Sequence, residues 1–178
     1  AYRTLLVQTR DLRGVDDFAE RSRSRLDLFR FGGDLNAFVH CADLQMDIDT
    51  AVLVDRYLDA GGNFVDTADG YTGGSSESLV GKFIRDRGNR DRVVLATKFT
   101  FASEPGNPNS GGNGRKNIHR ALEGSLRRLQ TDYVDLYWLH AWDGLTPVDE
   151  VLSTLDGLVR AGKVRAIGFS DVPAWYLA

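Results

Sequence analysis

The chain has 178 residues, a formal net charge of −3 and a single cysteine. Its 42% hydrophobic and 26% charged residues are an ordinary globular balance. There is no basic footprint for nucleic acid and no apolar run long enough to span a bilayer. Cys41 cannot form an internal disulfide, and no signal-peptide core opens the sequence, so a cytoplasmic protein is expected.

Residues 1–46 follow neither a helical nor a strand period. Arg21, Arg23, Arg25 and Arg30 crowd this segment, and the plain reading of such a cluster is a solvated face rather than a phosphate site. Residues 36–41 (NAFVHC) are compatible with a short strand. From Asp47 the text is regular. A helix over 47–60 is expected, with Ala51, Val52, Val54, Leu58 and Ala60 available to a core and Gly61-Gly62 as its stop. A short β-rich run at 63–67 (NFVDT) follows. Helical periodicity over 77–87 places Leu79, Val80, Phe83 and Ile84 on one face, and 92–98 (RVVLATK) is a strand. The pattern repeats with a helix at 117–129, a strand at 134–139 (VDLYWL), a helix at 148–159 and a strand at 164–169 (VRAIGF). Pro173 then opens a further helix.

Strand and helix alternate at the spacing of βαβ units, which implies a parallel sheet that is either closed into a barrel or doubly wound. A Rossmann unit would carry a glycine-rich fingerprint after its first strand, whereas Ala-Asp-Gly-Tyr follows Thr67 here. A (β/α)8 barrel, of which the chain covers about the first five strands, is the better reading. A complete barrel usually takes roughly 250 residues. The loop 101–114 (FASEPGNPNSGGNG) sits at a strand's C-terminal end, where barrel enzymes build their sites.

Four polar residues fall at these strand ends: Asp66 in FVDTA, Tyr71 just after it, Lys98 closing VVLATK and His140 closing DLYWLH. Side chains alternate across a strand, so Lys98 shares a face with Ala96 and Val94, and His140 with Trp138 and Leu136. An inward lysine is costly in a dry core unless paired, and Asp66 is the natural partner. The set has a chemical use. A tyrosine hydroxyl titrates near pH 10, and an adjacent ammonium lowers that value by stabilising the phenolate. The aspartate keeps the lysine charged, and a histidine on the opposite wall can donate a hydrogen bond to a substrate oxygen. Such groups would hold, polarise and protonate a carbonyl as hydride arrives from a cofactor. Taken singly, each has a structural reading: Asp66 as a turn cap, Tyr71 as a packed loop aromatic, Lys98 as a solvated strand end, His140 as a satisfied histidine. Trp138 and Trp142 suit a substrate pocket or core packing equally. No metal site is expected.

The stretches 61–71 (GGNFVDTADGY), Ser76-Glu77, 96–99 (ATKF), 135–140 (DLYWLH) and 164–170 (VRAIGFS) resemble successive landmarks of the aldo-keto reductases, in the family's order, over roughly residues 47–178. The resemblance implies a barrel enzyme that uses NADPH, less often NADH, to reduce an aldehyde or ketone. Tyr71 would be the general acid, Lys98 and Asp66 its tuning pair, and His140 the group that orients the carbonyl. Asp66, Ser170 and Asp171 would contribute to cofactor binding, the last two at the nicotinamide carboxamide. Asp171 stands where the family more often has asparagine; it still accepts from the amide NH2 but offers no donor. Loop 101–114 hints at a sugar-like or other small carbonyl substrate.

Two departures from the family pattern shape the remaining expectations. Residues 1–46 form an atypical segment in which only 2–5 (YRTL) and 31–33 (FGG) resemble the family's opening, as a shifted reading frame or a replacement would produce. Residues 47–178 are the partial barrel, and three βα units that would carry the nicotinamide-stacking aromatic and the phosphate-clamping cations are not expected within it. Exposed strand edges then favour self-association. The rival readings are a nucleotide-binding regulatory module of the channel β-subunit type, and an inactive truncated product.

Overall fold

The computed structural model describes residues 38–40, 54–55, 57–59 and 61–177. The arginine cluster, Cys41, the motifs at 2–5 and 31–33 and most of the expected 47–60 helix lie outside the described residues. Of that helix, Val54, Asp55 and residues 57–59 are helical.

Among the described residues, five strands form one sheet: β1 (Phe38–His40), β2 (Phe64–Asp66), β3 (Val94–Phe99), β4 (Val134–Leu139) and β5 (Val164–Phe169). Their spatial order is their sequence order, and every neighbouring pair is parallel. A doubly wound sheet would reverse its order at a switch point. Unbroken sequential order is the barrel pattern. Helix α1 (Ser75–Arg87) connects β2 to β3, α2 (Arg115–Leu129) connects β3 to β4, and α3 (Val148–Arg160) connects β4 to β5; α4 (Ala174–Leu177) follows β5.

Strand alternation divides the sheet into two faces. Leu95 and Phe99 on β3, with Tyr137 and Leu139 on β4, are fully buried in the core with Val80 and Ile84 of α1, Ile118, Leu122 and Leu129 of α2, and Val151, Leu155 and Leu158 of α3. Burying side chains of this size is worth about 1.5–3 kcal/mol each, which is what holds the helices on the sheet. Tyr137 joins this face without leaving its hydroxyl stranded, because Oη donates to the Ile118 carbonyl at 3.1 Å. The approach of α1 to α2 needs Gly81: a Cβ there would lie 2.5 Å from the Leu129 backbone. Ala96, Lys98, Leu136, Trp138 and, by continuation, His140 occupy the alternate positions.

Helix starts differ from expectation by two residues. α1 begins at Ser75 rather than 77 because Gly74, in the left-handed region at φ 88°, turns the chain into it. α2 begins at Arg115 rather than 117, after an extended Gly114. β3 begins at Val94 because residues 90–92 form a 3₁₀ turn instead of a strand start.

Candidate active site

Each of the four strand-end residues reaches the C-terminal edge of the sheet. Asp66, 1% exposed, closes β2, and Lys98, 7% exposed, is the penultimate residue of β3. In the ladder Asp66 lies opposite Ala96, so Lys98 is one pleat further on and reaches back along the inner face. Its ammonium donates to Asp66 Oδ2 and, at 2.9 Å, to the Thr67 carbonyl. Burial pushes the Asp66 carboxyl up to about 6, against the pull of the Lys98 charge and hydrogen bond.

Tyr71 opens a 3₁₀ turn at the mouth of the sheet. Lys98 Nζ lies 5.0 Å from the centre of its ring. The His140 ring meets it edge-on, centroids 5.8 Å apart. His140 follows β4 directly, its main-chain N–H donating to the Phe99 carbonyl at 3.1 Å. Phe101, 54% exposed, packs on the same imidazole at 4.8 Å. Asp66, Lys98, Tyr71 and His140 are therefore in one cluster. Ser170 and Asp171 sit one strand further along, at the end of β5: Ser170 N–H donates to the Leu139 carbonyl at 2.9 Å, and the Asp171 carbonyl accepts from Trp142 N–H at 3.2 Å. Asp171 is exposed, in the left-handed region at φ 48°, and Ser170 is half-buried. A hydroxyl that can donate and accept beside a carboxylate that can only accept fits a primary carboxamide, the polar end of a nicotinamide. Trp138 packs flat on Gly168, its partner across β4–β5, where a Cβ would come within 2.3 Å of the indole.

A second polar layer on the helix-facing side of the strands fixes the Tyr71 loop. Glu77 of α1 is fully buried and accepts from Thr97 Oγ1 at 2.5 Å and from Arg128 Nε of α2 at 2.6 Å. Thr67 and Ser76 hydroxyls bond at 2.9 Å. Asp69, 3% exposed, lies in the same layer; burial and the Glu77 charge push it up to about 7, with Arg128 and Arg120 pulling the other way. The sequence pattern marks Glu77 only as a landmark and gives no sign of Asp69 or Arg128. The one available signal is Thr97: a polar residue alternating with Lys98 must face the helices, and a buried hydroxyl there needs a partner.

Loop 101–114 is pinned from both ends. Arg120 of α2 donates to Glu104 Oε1 at 2.8 Å, Ser103 Oγ at 2.8 Å and the Ser110 carbonyl at 2.9 Å. Asp143, in the loop after β4, accepts from Asn113 N–H at 2.7 Å, Leu145 N–H at 3.0 Å, Thr146 N–H at 2.9 Å and Thr146 Oγ1 at 2.6 Å. Burial raises that carboxyl, but these hydrogen bonds more than offset it and hold it at about 2. Among the described residues, no group of three or more His, Cys, Asp or Glu is arranged to hold a metal ion, and no helix is long and apolar enough to cross a membrane.

Sequential parallel strands with polar side chains gathered at their C-terminal edge define an α/β-barrel type of site. The sequence model of the aldo/keto reductase family matches residues 40–178, and the chain belongs to that family. Its relatives include norsolorinic acid reductase stcV of Emericella nidulans, 47% identical over 131 residues, which are 71% of this chain and 34% of the relative. The aryl-alcohol dehydrogenase [NADP(+)] of Phanerodontia chrysosporium is 40% identical over 71% of this chain and 35% of its own length. Aldo-keto reductase ausK of Aspergillus calidoustus is 41% identical over 77% and 37% respectively. The chain spans about a third of the length of the curated relatives it matches.

Proposed function

We propose that this protein reduces an aldehyde or ketone to an alcohol with a nicotinamide cofactor, Tyr71 acting as proton donor. The observation that carries this is the nearness of one tyrosine to both a buried Lys98–Asp66 pair, with Nζ 5.0 Å from its ring centre, and a histidine ring at 5.8 Å. The Lys98 ammonium lowers the cost of forming phenolate at Tyr71, and Asp66 holds that ammonium in place. His140 donates a hydrogen bond to the carbonyl oxygen and orients it towards the tyrosine. What a bound NADPH supplies here is the hydride for the carbonyl carbon. As the new C–H bond forms, Tyr71 passes its hydroxyl proton to the oxygen, giving the neutral alcohol and leaving a phenolate beside Lys98. Asp66, Ser170 and Asp171 are the residues of this chain that would hold the nicotinamide end. NADPH is favoured over NADH by the NADP(+) in the name of the Phanerodontia chrysosporium relative.

The substrate is a small carbonyl compound. An aryl aldehyde or ketone is favoured over a sugar-like one by the half-exposed Phe101 ring beside His140, and by the aryl-alcohol names among the relatives. A titration with NADPH followed by steady-state turnover with aryl and sugar carbonyls tests the reading. Sustained carbonyl-dependent oxidation of NADPH is expected. Tight nucleotide binding without turnover would favour a regulatory module instead, and absence of both would refute the enzyme.

A further inference from the structure

Asn113 has none of its surface exposed, and it ties together the ends of two barrel strands. Its Oδ1 accepts from Thr100 Oγ1 at 2.7 Å, just beyond β3. Its Nδ2 donates to the Ala141 carbonyl at 3.0 Å, just beyond β4. Its main-chain N–H goes to Asp143 at 2.7 Å. Both strand ends bear on His140: Ala141 is its neighbour in the chain, and Thr100 precedes Phe101, whose ring packs on the imidazole at 4.8 Å. Thr100 itself is held at φ 131°, a conformation a threonine does not choose unaided, with its carbonyl accepting from Gly112 N–H at 2.7 Å. The side-chain amide of Asn113 supplies both the donor one strand end needs and the acceptor the other needs. A smaller or apolar residue satisfies neither and leaves a buried carbonyl and hydroxyl unpaired.

We propose that Asn113, anchored by Asp143, is a positioning residue for His140: it sets the backbone that follows the imidazole and the aromatic wall against which the imidazole rests. This rests on the reading of His140 as the group that orients the substrate carbonyl. The bonds themselves do not depend on it. Asn113 touches no reacting atom in this arrangement and acts only through Ala141 and Phe101.

The test follows the histidine ring signals by NMR in the wild-type protein and in Asn113→Ala. The His140 signal is assigned by its loss in His140→Gln, and His119 on the exposed face of α2 is the internal reference. The expected result is a displaced or broadened His140 signal with His119 unmoved. Tyr137→Phe, which removes the buried bond from Oη to the Ile118 carbonyl on the opposite face of β4, should lower the melting temperature and leave His140 in place. If Asn113→Ala does not fold, Asp143→Asn decides; it keeps the volume, weakens the anchor on Asn113 N–H and should move His140 in the same direction. A folded Asn113→Ala or Asp143→Asn with His140 unmoved overturns the proposal. So does a Tyr137→Phe that moves His140 equally. Where carbonyl turnover is observed, Asn113→Ala should lower kcat by up to ~100-fold, the cost of misplacing a group by about 1 Å, with NADPH affinity unchanged. A displaced His140 without turnover in the wild type would refute the reductase reading and leave the positioning role standing.

Discussion

Lys98 crosses from β3 to bond Asp66 at the end of β2, and the same ammonium donates at 2.9 Å to the carbonyl of the residue that follows, Thr67. One side chain thus closes the space between two parallel strands and sets the charge beneath Tyr71. Lys98→Met would leave a carboxylate buried without its cation, which costs about 3–5 kcal/mol at neutral pH. The sign with pH follows from Asp66, whose carboxyl is pushed up to about 6 even when paired. A raised carboxyl stabilises the fold below its unfolded value and loses that contribution as pH rises through the folded value. The deficit of Lys98→Met should therefore shrink at pH about 5, and Asp66→Asn added to it should restore part of the stability. Urea unfolding of the single and double variants at two pH values checks both statements.

Glu77 is the keystone of the layer on the other side of those strands, bonded to Thr97 at 2.5 Å and to Arg128 at 2.6 Å. Glu77→Ala removes both bonds and strands Arg128 against α1, a loss of about 3 kcal/mol. Glu77→Gln keeps the volume and one acceptor oxygen and should cost less. Chemical denaturation curves of the two variants give the comparison, and equal losses would mean that the charge accounts for the whole contribution and the retained acceptor for none of it.

Asp69 carries the opposite expectation. Burial and the Glu77 charge push it up to about 7, so its contribution to stability is present below its ordinary value and lost as pH rises through about 7. The groups that face it are Glu77 on α1, Arg120 and Arg128 on α2 and Tyr137 on β4. Asp69→Asn should match the wild type at pH about 5 and exceed it by ~1–3 kcal/mol at pH about 8, where the wild type holds a buried charge. Thermal melts across that range read the difference, and a variant destabilised at both ends would contradict it.

Much of the fold is legible in the sequence. The bounds of β4 and β5 follow from apolar runs flanked by polar residues, and alternation along β3 brings Lys98 to the face of Ala96. Helix starts are less legible. Gly74 and Gly114 begin α1 and α2 through backbone conformations that leave no mark on hydrophobic periodicity. The contacts that brace the site are not legible either, because they join loops far apart in the chain. Arg128 lies 51 residues from Glu77, and Asp143 30 from Asn113. No local spacing encodes such a pair. Only the demand that a buried Thr97 or Asn113 find partners points to them.

Phe101 stands at the rim of the cluster, its ring 4.8 Å from His140 and more than half exposed. If it meets an aryl substrate, Phe101→Ala should raise KM for an aryl aldehyde by up to ~10-fold, the scale of one aromatic contact, with a smaller change for a sugar carbonyl. A kinetic comparison of the two substrates reads this. Equal effects on both would argue that Phe101 acts only through its support of His140 and does not contact substrate.

The central claim is that Tyr71 delivers the proton. Pre-steady-state hydride transfer from NADPH to a carbonyl, measured in the wild-type protein and in Tyr71→Phe with NADPH affinity determined in parallel, tests it most directly. The account predicts a fall of at least ~100-fold in the transfer rate with unchanged nucleotide affinity, since phenylalanine keeps the ring beside Lys98 and His140 but has no proton to give. A Tyr71→Phe variant that transfers hydride at near the wild-type rate would contradict it.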